Sequence, residues 1–527
     1  MARSFLTTAI PYVNGSPHIG HALELVQTDV LARHRRQRGH EVRAQTGTDD
    51  NALKNVQGAE AQGLPVSEYV ERVATRFASL SGPLDLSFDD FIKTSSDPRH
   101  KPGVDKLWAA CAQRGDFYRK SYSGLYCVGC ELFYQPGDLV DGRCPEHGTV
   151  PDRVDENNWF FRLSRYQDRL VELISTGALR IEPAHRRREV LSFIESGLED
   201  FSVSRSVERA RGWGIPVPGD PEQVIYVWFD ALANYITGPG YGTDDERFGY
   251  WWDQADERIH VIGKGIIRFH AVYWPAMLLS AGVRLPSTIF VHEYLTANGR
   301  KISKSAGNAE DPADIVARFG TDGLRWWMLS DVARTGDTDY TTERLVTRSN
   351  EDLANNIGNL VNRTVSMTRR YRDGVIPAMA IDNSAARDLR RARAEASATI
   401  DQALATFDFR RAVEAVTKIG DEANRYVEAL APWALAKAER KDGSAPEALD
   451  TVPLDTVPLD TVPLDTVPLD TVPLDTVLGE LVATCRDMAE HLTPFLPQAA
   501  QRIENQCGNG GPEVAEPAPV FAKLEAP

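Results

Sequence analysis

The fold class is indicated by residues 4–48, SFLTTAIPYVNGSPHIGHALELVQTDVLARHRRQRGHEVRAQTGT. Residues 4–10 are rich in β-branched and apolar types and predict a strand, and residues 41–48 predict a second one. Between them, apolar residues recur at helical spacing from His18 to Arg38. Strand, helix and strand of these lengths form a βαβ unit, so a parallel sheet is expected. Its ligands should bind beyond the carboxyl ends of the strands.

Two histidines, His18 and His21, stand three residues apart at the start of this helix. Ser16 is a suitable N-cap and Pro17 a suitable first residue. The pair is open to three interpretations: metal ligands, core packing, or contact with a ligand of another kind. A helix N-terminus collects backbone N–H donors and favours anions, and Gly20 would let a nucleotide approach the backbone closely.

Bulk composition indicates a globular protein of several domains. The chain has 527 residues, 42% of them hydrophobic and 25% charged, and its net charge is −16. We expect two to four domains from this length. No apolar run approaches the roughly 18 residues needed to cross a bilayer, so no membrane is expected as a partner. Six unevenly placed cysteines do not suggest a disulfide framework, and a cytoplasmic location is expected.

Two pairs of metal-binding residue types lie between the predicted strands. Cys127 and Cys130 are separated by two residues, as are Cys144 and His147, with thirteen residues between the pairs. This spacing predicts one structural Zn²⁺ per chain, held by four ligands in a small inserted module. The alternative is a set of reduced cysteines without a metal. A complete set here weakens the metal interpretation of the two histidines.

The later part of the chain changes character. Residues 224–230, 258–263 and 290–296 predict further buried strands, and almost everything after about residue 310 has helical periodicity, which predicts a helical bundle. The pentapeptide TVPLD repeats five times over 451–475. Proline at every fifth position blocks a helix, so we expect a disordered loop there, with a binding segment as the minority alternative.

A second candidate phosphate-binding segment is NGRKISKSAGN, residues 298–308. Lys301 and Lys304 stand in a loop flanked by glycines, which suits a polyphosphate that is bound only during reaction. Each lysine taken alone could equally be solvated, as most surface lysines are.

PYVNGSPHIGH and KISKS resemble the two signature motifs of class I aminoacyl-tRNA synthetases. From residue 4 to about 505, the chain is similar to the methionyl-tRNA synthetase family. The resemblance implies an α/β fold with a class I Rossmann-like parallel sheet, an inserted zinc-bearing connective module and an all-α anticodon-binding bundle. The implied domains are the catalytic halves 1–115 and 223–308, the insertion 116–222, a linking stem-contact region 309–350, the anticodon-binding domain 351–510 and a tail 511–527.

The resemblance also implies a reaction and its partners. ATP, accompanied by Mg²⁺, would activate L-methionine as methionyl-adenylate, and the methionyl group would pass to tRNA(Met) with the anticodon CAU. The implied catalytic residues are His18, His21, Lys301 and Lys304, and the implied ATP-binding residues are His18, Gly20, His21, Gly263 and Lys304. The implied methionine-binding residues are Ile10, Tyr12, Asp49, Trp228, Ala231, Leu232, Tyr235, Phe269 and His270. The implied anticodon-binding residues are Asn359, Arg363 and Trp433.

The chain departs from the family pattern at three places. Asp50, Asn51 and Ala52 stand where the family usually has an acid, a histidine and a glycine. Gly265 stands where the family usually has an aspartate that meets the nucleotide ribose, and Glu293 replaces a glycine. We therefore predict activity with a weakened or rearranged contact to ATP.

Two rival functions stay open from the sequence. One is a divergent enzyme that activates methionine for an acceptor other than tRNA, and the other is a catalytically weakened RNA-binding relative. The retained Asn359, Arg363 and Trp433 count against the first. The retained Lys304, His18 and His21 count against the second. Because the chain ends soon after its last predicted helix, we expect a monomer.

Overall fold

The computed structural model describes residues 2–525 except 130–131, 135, 146–147, 298, 303–309, 379–383 and 442–471. The chain forms two compact units. The first comprises Met1–Thr321 with Ala333–Tyr340, and the second comprises Asp322–Val332 with Thr341–Pro527.

A six-stranded sheet forms the centre of the first unit, and all its neighbouring strands pair in parallel. This confirms the predicted parallel sheet. In spatial order the strands are Asp90–Lys93, Glu41–Thr48, Arg3–Thr8, Glu257–Gly263, Thr288–His292 and Arg180–Glu182.

The opening βαβ unit consists of Arg3–Thr8, the helix Ile19–Gln37 and Glu41–Thr48. The helix cap differs from the prediction, because its N-cap residue is His18 and not Ser16. The His18 side chain accepts the Gly20 N–H, which gives the capping contact that a serine hydroxyl would otherwise give. Gly39 follows the helix with a φ of 77°, a left-handed conformation that glycine adopts readily and that ends the helix.

The order of the strands creates a topological switch point. Arg3–Thr8 has Glu41–Thr48 on one side and Glu257–Gly263 on the other. The chain therefore leaves the carboxyl ends of the two central strands in opposite directions, and a crevice opens between them. This crevice is the expected ligand site.

Helices surround the sheet in the first unit. The α-helices after the first are Leu53–Ala61, Val66–Ala78, His100–Gln113, Gln167–Ser175, Ala184–Glu195, Val227–Thr237, Asp245–Phe248 and Trp274–Ala281. Gly249–Asp253 and Phe269–Tyr273 are π-helical. Short 3₁₀ turns occupy Ser79–Ser81, Pro136–Asp138, Leu163–Tyr166 and Lys264–Ile266.

Two predicted strands are partly wrong. The segment 224–230 is strand only to Ile225, and the helix Val227–Thr237 begins two residues later. This helix is buried almost all round, so its sequence has no polar face to reveal its period. The segment 290–296 is interrupted after His292, since Leu295–Ala297 pairs with Arg300–Lys301 and Thr338–Asp339 in a separate sheet.

The inserted module carries its own antiparallel sheets. Four strands, Leu132–Tyr134, Phe117–Cys127, Asp152–Phe161 and Phe201–Ser202, form one sheet. Three short strands, Pro216–Val217, Asp220–Ile225 and Ser204–Ser206, form the other.

The second unit is helical, as predicted. Its segments are Thr342–Arg348, the π-helical Ser349–Gly358, Asn359–Arg372, Arg387–Ala405, Phe409–Leu430, Pro432–Lys441, Leu474–Leu492 and Pro497–Gln506, with the short 3₁₀ turn Ser384–Ala386. The segment Pro312–Ser330, which leads into this unit, is broken at Gly320, where φ is 77°. Most of the TVPLD repeat lies outside the described residues, but Leu474 of the last repeat already begins a helix.

A buried carboxylate ties two helices of this unit together. Glu480 is fully buried and accepts hydrogen bonds from Arg390 at 2.7 Å and Arg393 at 2.5 Å. Removing both arginines would leave the Glu480 carboxylate buried without compensation, so these ion pairs help to fix how the two helices pack.

No helix in the described part of the chain is both long and apolar enough to cross a membrane.

Candidate active site

The two histidines of the first motif stack at the N-terminus of the helix Ile19–Gln37, with ring centroids 3.7 Å apart. His18 Nδ1 accepts the Gly20 N–H at 3.1 Å, and His21 Nδ1 accepts the His18 N–H at 3.1 Å. Each neutral ring must therefore carry its proton on Nε2. The helix end thus presents two imidazole N–H donors in addition to its positive dipole end, which is a combination suited to phosphate.

The metal interpretation of these histidines gains no support. Both Nδ1 atoms already accept backbone N–H groups. Among the described residues, no cluster of three histidine, cysteine or acidic side chains could hold a metal ion. The absence of a side chain at Gly20 lets the His18 ring pack against the backbone, because a Cβ atom there would lie 3.0 Å from the ring.

An aromatic wall combines Phe269, which follows the strand Glu257–Gly263, with Trp228 on the helix Val227–Thr237. The rings of Trp228 and Phe269 stack with centroids 3.7 Å apart and planes inclined by 8°. Tyr12 meets Trp228 edge-on at 6.2 Å. Tyr12 also pairs with Asp49 through an isolated parallel backbone bridge, so the first-motif loop lies beside the residue that carries this carboxylate. The structure thereby brings together residues that are more than two hundred positions apart in the sequence.

The tautomer of His270 is set by its two partners. The Ile266 carbonyl lies 3.0 Å from Nδ1 and can only accept, so Nδ1 carries the proton. Nε2 then accepts from the Tyr235 hydroxyl at 2.7 Å. Burial lowers the pKa of His270 to about 4, which keeps the ring neutral at physiological pH. Tyr235 and His270 therefore form a fixed, uncharged pair at the end of the wall.

Four further predicted residues lie in the same region. Ala231 and Leu232 are buried on the helix Val227–Thr237. Ile10 is half-buried, two residues beyond the strand Arg3–Thr8. Gly263 ends the strand Glu257–Gly263 and lies across the crevice from the first motif.

The loop after Asp49 explains one departure from the family pattern. Asn51 donates to Asp230 at 2.7 Å, and Asp230 is 2.5 Å from His100 Nε2. Asp230 and His100 are both buried. This network joins the loop to the helix that carries the pocket wall, and sequence reasoning missed it because His100 is far away in the chain.

A second missed pair lies under the crevice. Glu24 Oε2 is 3.0 Å from His292 Nε2, and His292 Nδ1 is 2.9 Å from the Glu293 carbonyl. Since the carbonyl can only accept, Nδ1 carries a proton, and one further proton is shared between Glu24 and Nε2. Burial raises the pKa of Glu24. The one sequence signal for this pair was an acidic residue between the apolar positions Leu23 and Leu25 of the helix.

The second signature motif is only partly described. The backbone of Arg300–Lys301 pairs with Leu295–Ala297, which places Lys301 on a short strand. Lys304 lies outside the described residues.

The four predicted zinc ligands are also partly described, since Cys130 and His147 lie outside the described residues. Cys127 and Cys144 are each buried at 1% exposure. Two backbone hydrogen bonds close the loop 144–149. The Cys144 N–H donates to the Thr149 carbonyl, and the Gly148 N–H donates to the Cys144 carbonyl. Cys127 Sγ is 3.7 Å from the Thr149 hydroxyl, so both cysteines adjoin one tight loop.

The predicted anticodon readers cluster in the helical unit. Asn359 and Arg363 are one turn apart on the helix Asn359–Arg372. The Arg363 guanidinium lies 5.7 Å from the centre of the Trp433 ring, and Trp433 is 38% exposed. Burial lowers the pKa of Arg363 below its usual value.

Comparisons with known proteins agree with this geometry. A family model described as tRNA synthetases class I (M) matches residues 4–156 and 134–365. A methionine–tRNA ligase of Caldanaerobacter subterraneus subsp. tengcongensis is 40% identical over 440 residues, covering 83% of this chain and 68% of that protein. A methionine–tRNA ligase of Rhizobium meliloti is 39% identical over 505 residues, covering 95% and 90%.

Solved structures give the same result. The Mycobacterium tuberculosis methionyl-tRNA synthetase in complex with methionyl-adenylate superposes with a TM-score of 0.88 at 36% sequence identity, covering 99% of this chain and 100% of that one. The chain therefore belongs to the class I aminoacyl-tRNA synthetases. Within that class it belongs to the methionine–tRNA ligase family. These relatives favour the ligase over both rival functions.

Asp50 gives a pH-dependent prediction for the pocket loop. Burial raises the pKa of Asp50 from 3.8 to about 6. Between these values the folded chain keeps a proton that the unfolded chain has released, so the free energy of unfolding should fall as pH rises through this window. The total fall is up to about 3 kcal/mol. Asp50→Asn should remove this slope, measured by urea denaturation from pH 4 to pH 7.

The exposed Asp245→Asn is the control, and it should keep the wild-type slope. Identical slopes for wild type and Asp50→Asn would show that the raised pKa has no consequence for stability.

Proposed function

We propose that the chain uses ATP to activate L-methionine and transfers the methionyl group to tRNA. The observation that carries the proposal is the placement of two imidazole N–H donors and an aromatic pocket with a carboxylate at one edge of a parallel sheet. The relative from Mycobacterium tuberculosis, which matches this chain over nearly its whole length, was solved with methionyl-adenylate.

In the first step the methionine carboxylate attacks the α-phosphate of ATP, and pyrophosphate leaves. The Nε2–H groups of His18 and His21 stabilise the charge that develops on the phosphate oxygens. Lys304, together with Lys301, is proposed to stabilise the leaving pyrophosphate, and Mg²⁺ accompanies ATP. The protein contributes mainly positioning and electrostatics, since no covalent intermediate with the enzyme is needed.

Methionine is proposed to bind between the first-motif loop and the aromatic wall. Asp49 pairs with the substrate ammonium, and the polarizable thioether packs against Trp228 and Phe269. The Tyr235–His270 pair closes the far end without a net charge, which suits an uncharged side chain. A pocket of this kind rejects a side chain one methylene shorter by only about 1–3 kcal/mol. Homocysteine should therefore enter, and some editing is implied.

In the second step the terminal ribose hydroxyl of the tRNA attacks the activated carbonyl, and AMP leaves. We propose that the helical unit reads the anticodon CAU. Asn359 can hydrogen-bond a base edge, while Trp433 offers an exposed ring for stacking of an unpaired base. The nearby Arg363 guanidinium supplies positive charge for the RNA backbone.

A structural zinc ion is proposed for the inserted module. Cys127, Cys130, Cys144 and His147 would hold it, and their thiolate and imidazole groups are the donors that zinc prefers. The fit rests on the two buried cysteines that adjoin the loop 144–149. With four protein ligands such a site stabilises the module and leaves no position for a substrate.

The chain is proposed to act as a monomer in the cytoplasm. Every group assigned to ATP, methionine and the anticodon comes from one chain, so no second copy is needed to complete a site. Charging of tRNA for translation places the reaction where ribosomes work.

Methionine-dependent exchange of pyrophosphate into ATP tests the first step. The wild-type chain, loaded with zinc and supplied with Mg²⁺, should exchange label only when methionine is present. His21→Asn removes the Nε2–H donor and should lower the rate about 10²–10³-fold. His40→Asn changes a histidine beyond the other end of the helix and should leave the rate unchanged. Absence of exchange by the wild type at saturating ATP would refute the proposal.

Metal analysis tests the zinc site. The purified chain should contain one zinc ion, and Cys144→Ser should lose most of it because three ligands bind zinc far more weakly than four. Cys111→Ala alters a buried cysteine outside the proposed set and should retain the metal. Equal zinc in wild type and Cys144→Ser would contradict the assignment.

Separate assays of activation and charging test the anticodon site. Trp433→Ala should reduce charging of a CAU transcript by about 10-fold or more, since stacking of one base contributes about 1–3 kcal/mol. Pyrophosphate exchange should be unaffected, because activation needs no tRNA. Val375→Ala removes another exposed apolar side chain of the same unit and serves as control. A parallel loss of exchange would point to misfolding and against an anticodon role.

A further inference from the structure

Gly265 directly faces the tip of a tyrosine. A Cβ atom at position 265 would lie 1.9 Å from the Tyr294 hydroxyl oxygen and 3.2 Å from the Cζ of the same ring. The phenol end therefore occupies the space in which any side chain at 265 would begin. Gly265 itself is exposed, so this space opens toward solvent.

Charged groups hold the Tyr294 ring in this place. The Lys264 ammonium lies 4.7 Å from the ring centre and bonds Asp337 Oδ1 at 2.6 Å. The Tyr294 backbone N–H donates to the same Asp337 oxygen at 3.1 Å. A cation over the ring face and a backbone bond beside it restrict the tyrosine to one orientation.

Glu293 completes the support for Lys264. Its carboxylate is 3% exposed and lies 3.6 Å from the Lys264 ammonium. It also accepts from the guanidinium of Arg186 through both oxygens and lies 3.0 Å from His185 Nε2. Because a buried carboxylate surrounded by cations is costly to move, Lys264 and the tyrosine above it have a rigid base.

A chain of contacts links the tyrosine to the helix that carries the proposed phosphate site. Glu24 is six residues along the helix from His18, which is about 9 Å at the α-helical rise. Glu24 contacts His292, and both His292 and Tyr294 border Gly263, within 3.4 and 3.7 Å of its Cβ position. Tyr294 therefore lies beside Gly263 at the same crevice in which the nucleotide is proposed to bind.

We propose that the Tyr294 hydroxyl binds a ribose hydroxyl of ATP, using the space that the absence of a side chain at position 265 leaves for it. A phenol hydroxyl can both donate and accept, as a ribose hydroxyl can, so the two are matched partners. Tyr294 is then a nucleotide-binding residue, and Lys264, Asp337 and Glu293 position it. The assignment rests on the proposed use of ATP.

Calorimetric binding of ATP, 2′-deoxy-ATP and 3′-deoxy-ATP to the full chain tests this contact without requiring catalysis. The wild type should bind at least one deoxy analogue more weakly than ATP. Tyr294→Phe should raise the Kd of ATP about 3- to 10-fold, the effect of losing one neutral hydrogen bond. Tyr294→Phe should bind ATP and the deoxy analogue that the wild type binds more weakly with the same Kd. Tyr250→Phe, whose hydroxyl bonds Glu41 at the amino end of the sheet, should behave as the wild type.

Gly265→Ala tests the same contact independently. Its methyl group would displace the tyrosine tip, so the variant should reproduce both the weaker ATP binding and the lost discrimination of Tyr294→Phe. The double variant should be no weaker than either single one. The proposal is overturned if Tyr294→Phe keeps the wild-type discrimination, or if Gly265→Ala binds ATP as tightly as the wild type. Intact ATP binding without pyrophosphate exchange would instead contradict the proposed function alone.

Discussion

The parallel pairing of Arg3–Thr8 with Glu257–Gly263 is the constraint on which the site depends. It joins segments separated by about 250 residues, with Thr8 opposite Val261, and the Ala9 N–H bonds the Val261 carbonyl at 3.1 Å. This register sets the first-motif loop beside Gly263. The segments that carry His18, Asp49 and Tyr294 follow the carboxyl ends of strands in this sheet. Phe269 follows the strand Glu257–Gly263 and stacks on Trp228.

Buried polar pairs then fix the chemistry of the groups that this register assembles. Tyr235 with His270, Asn51 with Asp230, and Glu24 with His292 are each satisfied inside the protein. Satisfied buried networks hold side chains in one orientation. The pocket is thereby built before a substrate arrives, which spares the reaction the cost of organising it.

The sequence predicted the elements whose patterns are local, and it could not predict contacts that depend on distant segments. The opening strand, helix and strand were recognised because their periodicity and stop signals lie within 45 residues. The strand–helix boundary at Tyr226 was missed because a segment buried on all sides has no polar face. His18 as the helix cap, Asp230 with His100, and Glu293 with Arg186 depend on side-chain geometry that no spacing encodes. Gly265 is the clearest example, because only the folded chain shows that the Tyr294 hydroxyl occupies the space a side chain at position 265 would need.

A crystal structure of the chain with methionine and a non-hydrolysable ATP analogue tests the central claim most directly. We expect the thioether against Trp228 and Phe269, the ammonium at Asp49, and the triphosphate within hydrogen-bonding distance of Nε2 of His18 and His21. A nucleotide bound away from the crevice, or a metal ion coordinated by His18 and His21 in place of phosphate, would contradict it.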